Sequence, residues 1–159
     1  MSRTRIFASL IILLFTIYAC SKKEDIDPPP PVVIEAPPAF GFYVVGYFPS
    51  YRNLADVPDQ KFRMTNVVIY AFYGVNSGGT LSAPSTPAAS LSAVAAKGKN
   101  NNAKIFLGIN DGSGDGKTNF KNMAATAQGR NSFIKGVMNA VRVNNLDGVD
   151  TDWEFPTTS

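Results

Sequence analysis

Four carboxylates crowd into eight residues near the end of this 159-residue sequence: Asp147, Asp150, Asp152 and Glu154, within the run LDGVDTDWEFP from Leu146 to Pro156. Asp150, Asp152 and Glu154 stand at every second position, and Val149, Thr151, Trp153 and Phe155 around them are β-branched or aromatic, types that favour strands. Successive side chains of a strand point to opposite faces, so this spacing predicts one strand with all three acids on one side and the bulky residues on the other. The acidic file would span only about 13 Å, at roughly 3.3 Å per residue. Like charges held that close raise one another's proton affinity, which suits a carboxyl group tuned for acid and base work. A solvated acidic turn would need neither a period of two nor a tryptophan. A calcium or magnesium site would need further oxygen ligands, and nothing nearby in the sequence completes a set.

Composition removes several other chemistries. The chain has no histidine, which excludes Ser-His-Asp and Cys-His catalysis within it and argues against a zinc enzyme. Its single cysteine allows no internal disulfide. The formal charge of +3 includes Arg3 and Arg5 of a leader segment, so the rest is close to neutral. No Lys/Arg run with interleaved aromatics is present, so nucleic acid is not an expected partner. Neither a cofactor nor a metal is expected.

The leader itself reads as an export signal over residues 1–19: a basic start, an apolar run from Ile6 to Ile17, and Ala19 before Cys20, too short and wrongly flanked for a membrane span. Ile17-Tyr18-Ala19-Cys20 resembles a bacterial lipobox, which implies lipidation at Cys20; an ordinary signal peptide with an incidental cysteine is the alternative. Ser21-Lys22-Lys23-Glu24-Asp25 resembles the charged export tag of Bacteroidetes surface lipoproteins. Residues 20–39 contain six prolines between Ile26 and Ala39, an extended spacer that would hold a folded domain away from a membrane. The implied location is the outer membrane or cell surface.

The acids need a scaffold, and residues 40–159 supply a repeating one. Buried strands are predicted at Phe42–Phe48, Thr65–Val75, Lys104–Ile109 and from Leu146 onward. Between them lie a short helix or irregular crossover over Ala55–Met64 and a helix over Ser90–Lys99 with Gly98 as its stop. Two more helices are predicted over Phe120–Gln128 and Asn131–Asn144. Strands alternating with crossovers build a parallel sheet, buried on both faces, which accounts for continuous apolar runs. Only the last strand breaks that rule, so its acids should line a wet opening at the C-terminal ends of the strands.

The run Asp147-Gly148-Val149-Asp150-Thr151-Asp152-Trp153-Glu154 resembles the D-G-x-D-x-D-x-E signature of family 18 glycoside hydrolases, the chitinases and endo-β-N-acetylglucosaminidases. VVGYFPSYR, TNVVIYAFYGV and KIFLGI extend the resemblance to the first four β/α units of a TIM (β/α)8 barrel, from about Phe42 to Pro156. A complete barrel of this kind runs to about 250 residues. The resemblance therefore implies the N-terminal half of the catalytic domain, with two open strand edges and poor stability alone.

By that resemblance Glu154 protonates the glycosidic oxygen, Asp152 orients the substrate's acetamido group as nucleophile, and Asp150 shares a proton with Asp152. The implied substrate is chitin or another N-acetylglucosamine-containing glycan. Tyr47 and Phe72 match aromatics that line the sugar site, with ordinary core packing equally open for both. Trp153 is expected in the core, and Asp147 in a turn or cap. Where many members carry Ser-x-Gly-Gly after the third strand, this chain has Gly108-Ile109-Asn110-Asp111, so the serine that supports the buried aspartate is missing. Asp111 to Gly116 mimics the start of a calcium loop but lacks its closing glutamate, which leaves a glycine-rich loop at the barrel mouth. An endo-β-N-acetylglucosaminidase on N-glycans or peptidoglycan, or a non-catalytic lectin-like barrel, are the alternatives to a chitinase.

Overall fold

The computed structural model describes residues 41–112 and 115–156. The expected signal, Cys20 and the proline-rich linker lie outside the described residues. In chain order the elements are β1 (Val45–Pro49), a 3-10 turn (Leu54–Asp56), α1 (Asp59–Arg63), β2 (Val67–Val75), β3 (Leu81–Ser82), α2 (Leu91–Asn100), β4 (Lys104–Asn110), α3 (Gly116–Ala125), α4 (Ala127–Val143) and β5 (Gly148–Asp152).

The four expected strands form a parallel sheet in the order β1-β2-β4-β5, but β1 begins at Val45 and not at Phe42, and it is exposed or half-buried along its length, with Phe48 its one buried residue. Each adjacent pair is joined by a helical crossover, the arrangement of consecutive β/α units. One sheet face packs on the helices. Phe48, Val68, Tyr70, Ile105, Leu107 and Ile109 bury there against Phe62 of α1, Leu91 and Val94 of α2, Phe120 and Met123 of α3, and Val137 of α4. The other face carries Tyr47, Ile69, Gly108 and Asp150, because alternation along each strand sends every second residue that way.

Local chemistry sets the helix starts. The Ser90 hydroxyl accepts the Ala93 N–H at 3.2 Å and Thr126 Oγ1 accepts the Gly129 N–H at 2.9 Å, each supplying a partner that a helix N-terminus lacks. Thr126 corrects the helix boundaries expected from sequence: it is extended, ends α3 at Ala125 and caps α4, so the second of the two helices begins at Ala127 and not at Asn131.

Gly98 does not stop α2, as its residue type suggested. It lies inside the helix, where an added Cβ would fall 2.0 Å from Ile105 Cδ1; the glycine lets α2 sit close on β4. The helix ends after Asn100, and Asn102, at φ 61, turns the chain into β4. The two-residue strand β3, antiparallel to the end of β2, was not anticipated. Its Leu81 packs against the helix-side core.

The acidic strand also needs correction. Pairing between β4 and β5 runs from Phe106↔Gly148 to Asn110↔Asp152 and stops. Glu154 therefore lies in a bend after the strand, and alternation no longer sets its direction. β4 has ended at Asn110, and beyond that pair the backbone contact to β5 is the Asp111 N–H on the Asp152 carbonyl.

Candidate active site

Asp150 and Asp152 occupy the C-terminal end of β5, on the sheet face away from the helices. Their neighbours across the β4 ladder are Gly108 and Asn110. Opposite them, the Tyr47 hydroxyl donates a hydrogen bond of 3.0 Å to Asp150 Oδ2. The Tyr47 ring lies 5.6 Å from the Phe72 ring, centroid to centroid, with the planes tilted by 45°. Tyr47 is 55 % exposed, so it is a surface-facing ring of the open face and not a core residue. Two peptide bonds at site residues are cis, Ala71–Phe72 and Glu154–Phe155.

The electrostatics of this group are legible at Tyr47. Partial burial, then the hydrogen bond to Asp150, then the charges of Asp150 and Asp152 hold its phenol above the ordinary range. A tyrosinate beside two carboxylates would be a third like charge. Both aspartates therefore act on one phenol from the same side of the sheet. Among the described residues no hydrogen bond joins Asp150 to Asp152. The support for Asp150 comes from Tyr47.

The missing serine has a steric counterpart. A Cβ at Gly108 would lie 2.8 Å from Phe72 Cδ1 and 2.9 Å from Ile69 Cγ2, so the Phe72 ring fills the room that a larger residue would need. In this chain the aromatic pair Tyr47–Phe72 and the glycine are parts of one arrangement.

Glu154 borders an open cleft of about 640 Å³ together with Trp153 and Phe155 and with Lys117, Thr118 and Lys121 of α3. Trp153 packs on Phe120 at 5.5 Å between centroids, on the helix side, as its place between the acids predicts. Asp147 ties the entrances of two strands: its Oδ2 accepts the Ile105 N–H at 2.8 Å, its own N–H donates to the Ile105 carbonyl at 2.8 Å, and Lys104 Nζ lies 3.6 Å away.

Sequence reasoning missed Asp111, which lies at the centre of the contacts around Glu154. Its backbone N–H donates to the Asp152 carbonyl at 3.2 Å, and its Oδ2 accepts the Glu154 N–H at 3.2 Å. The loop-like run Asp111–Gly116 had drawn notice only for a likeness to a calcium site. Among the described residues no group of three His, Cys, Asp or Glu is placed to hold a metal ion.

Parallel β/α units with aspartates at the C-terminal ends of the strands, next to exposed aromatic rings, are the arrangement of one side of a (β/α)8-barrel mouth. Residues 43–159 match the family Glycosyl hydrolases family 18, and the chain belongs to that family. Chitotriosidase-1 of Mus musculus is 40 % identical over 60 residues, 38 % of this chain and 13 % of that protein. Among solved structures, the chitinase-like agglutinin RobpsCRA from Robinia pseudoacacia superposes with a TM-score of 0.62 at 28 % identity, over 72 % of this chain and 35 % of that one. The family 18 chitinase from Cycas revoluta in complex with (GlcNAc)3 gives a TM-score of 0.63 at 22 % identity, over 73 % and 35 %, a likeness of fold. The chain thus spans about a third of the length of these solved relatives.

Proposed function

We propose that this chain is the N-terminal half of a chitinase-like glycosidase that cleaves β-1,4-linked N-acetylglucosamine polymers with retention of configuration. The observation that carries the reading is the Tyr47–Asp150 hydrogen bond with Asp152 on the same sheet face and Glu154 two residues further on. Glu154 delivers a proton to the glycosidic oxygen as the bond to C1 breaks. The acetamido oxygen of the same sugar closes on C1, and Asp152 accepts a hydrogen bond from the acetamido N–H, which stays on nitrogen, and stabilises the resulting oxazolinium ion. Glu154, now a carboxylate, removes a proton from the water that reopens the ring. Asp150, held by the Tyr47 hydroxyl, stands beneath Asp152 on the same strand. Tyr47 and Phe72 offer flat faces to the sugar.

The described strands provide one side of a barrel mouth, and a complete barrel has eight. Hydrolysis is accordingly assigned to a polypeptide with the complete barrel; the 159 residues alone are expected to turn over little or nothing. Lipidation at Cys20 and display on the outer membrane or cell surface complete the proposal and rest on residues 1–39 alone. A lectin-like role is favoured by the agglutinin among the structural relatives, and an acid retained at Glu154 favours the enzyme. In the complete polypeptide, Glu154→Gln should abolish turnover of chitooligosaccharides while binding persists. Unchanged turnover in that variant, or binding without turnover in the wild type, would end the hydrolase reading.

A further inference from the structure

We propose that Asp111 is a positioning residue for Glu154, holding the proposed acid in place where the β-strand that carries it has ended. The inference rests on the hydrolase reading for its consequence, and on geometry for its substance. The β4–β5 ladder stops at Asn110↔Asp152, two residues short of Glu154. A glutamate in an unpaired bend would be free to swing, and a misplacement of about 1 Å in a catalytic group can lower a rate by about 100-fold.

Asp111 extends the ladder by other means. Its backbone N–H continues the pairing by donating to the Asp152 carbonyl at 3.2 Å, and its side chain then substitutes for the missing strand by accepting the Glu154 N–H at 3.2 Å. One residue thus grips the backbone on both sides of Trp153. Trp153 is itself packed on Phe120, so the segment is fixed on its helix side as well.

Asp111 is only 8 % exposed, and a polar side chain so placed is kept in one orientation by the bond it makes. The chain around it is shaped to allow this. Gly112 takes φ +52 immediately after the aspartate, a conformation that favours glycine. A Cβ at Gly116 would lie 1.3 Å from the Asp111 carbonyl oxygen, so only glycine lets α3 begin there against the aspartate. Of the run that imitates a calcium loop, Asp111, Gly112 and Gly116 are thus accounted for by the contacts of Asp111 with β5 and with the start of α3.

The test compares Asp111→Leu, which keeps bulk and removes the acceptor, with Asp111→Asn, which keeps an oxygen acceptor of the same reach, in the full polypeptide. With chitooligosaccharides, Asp111→Leu should lower kcat by about 100-fold while KM stays within about twofold, and Asp111→Asn should stay within about fivefold of wild type in kcat. The Glu154 amide, followed by hydrogen exchange, should be protected in wild type and Asp111→Asn and exposed in Asp111→Leu. Equal losses in both variants, a rise in KM without a fall in kcat, or unaltered protection of Glu154 would overturn the assignment. Should Asp111→Leu fail to fold, Asp111→Ala reads the same contrast. If the wild type itself turns over no chitooligosaccharide, the hydrolase reading falls, and exchange at Glu154 alone decides for or against the grip of Asp111.

Discussion

The Tyr47 hydroxyl and the Asp150 carboxylate, 103 positions apart in sequence, meet at 3.0 Å across the open face of the sheet. The contact joins the first strand to the last of the parallel sheet without passing through the core. It also gives a carboxylate in an acidic cluster a neutral hydrogen-bond donor.

That pairing makes Tyr47 a reporter of the site. Burial, the Asp150 hydrogen bond and the two aspartate charges raise its ionisation above the ordinary phenol range, and Tyr70 and Tyr73 are raised as well, first by burial. A raised value means that the folded chain holds the phenolic protons more tightly than the unfolded one. The associated stability is present below the ordinary phenol range and is lost as pH climbs through the folded values. Asp150→Asn removes the charge but not the burial, so it should move the Tyr47 titration downward and leave Tyr70 and Tyr73 in place. NMR of the tyrosine ring carbons measures all three; a Tyr47 titration indifferent to Asp150→Asn would contradict the geometry.

Gly108 invites a second prediction, because serine is the residue the family pattern places there. A Cβ at that position meets the Phe72 ring and Ile69 inside 3.0 Å. Overpacking of this kind costs about 1–3 kcal/mol, and relief by rotating Phe72 would separate it from Tyr47. Gly108→Ser and Gly108→Ala should both lower Tm, and in the complete polypeptide both should weaken chitooligosaccharide binding. A serine variant as stable as wild type, with tighter binding, would mean that the ring yields freely.

Three of the four parallel strands were legible as apolar runs of strand length, and the fourth from the period of two among its acids. The same applies to Trp153, whose place between two acids sends it to the helix side. What escaped depended on contacts between distant segments. Gly98 reads as a stop because glycine often follows helices, yet the chain needs it where α2 crosses Ile105, a neighbour only in space. The end of β5 at Asp152 is dictated by the end of β4, over forty residues earlier, and so the period of two continues in the sequence after the strand has ceased. Asp111 could have been found only by counting register: it is the first residue past the last ladder pair.

Gly98→Ala sets two effects of opposite sign against each other. Alanine in a helix interior gains about 1 kcal/mol of propensity over glycine. Here its Cβ would fall 2.0 Å from Ile105 Cδ1 and 2.7 Å from Cγ1, and Ile105 is fully buried with no solvent to swing into. The clash, about 1–3 kcal/mol, should win. Removing Cδ1 with Ile105→Val should restore part of the loss, so that the double variant melts above Gly98→Ala alone in thermal unfolding. Additive losses would show that Gly98 acts through something other than this contact.

Asp147 makes a neutral hydrogen-bond contribution and an ionic one, and the two are separable. Its Oδ2 accepts the N–H of Ile105, a residue with no exposure, at 2.8 Å, while Oδ1 faces Lys104 at 3.6 Å in partial contact with solvent. An exposed ion pair contributes about 0–1 kcal/mol, whereas leaving a buried N–H without an acceptor costs about 1–3 kcal/mol. Asp147→Asn keeps an acceptor and should lose only the smaller amount; Asp147→Ala should lose the larger. Added salt should narrow the gap between wild type and the asparagine variant but leave the alanine deficit nearly intact, because screening weakens the exposed attraction and not the buried bond. Denaturant melts at low and high salt measure both differences. Equal losses in the two variants, removed together by salt, would show that the charge and not the Ile105 hydrogen bond holds the entrances of β4 and β5 together.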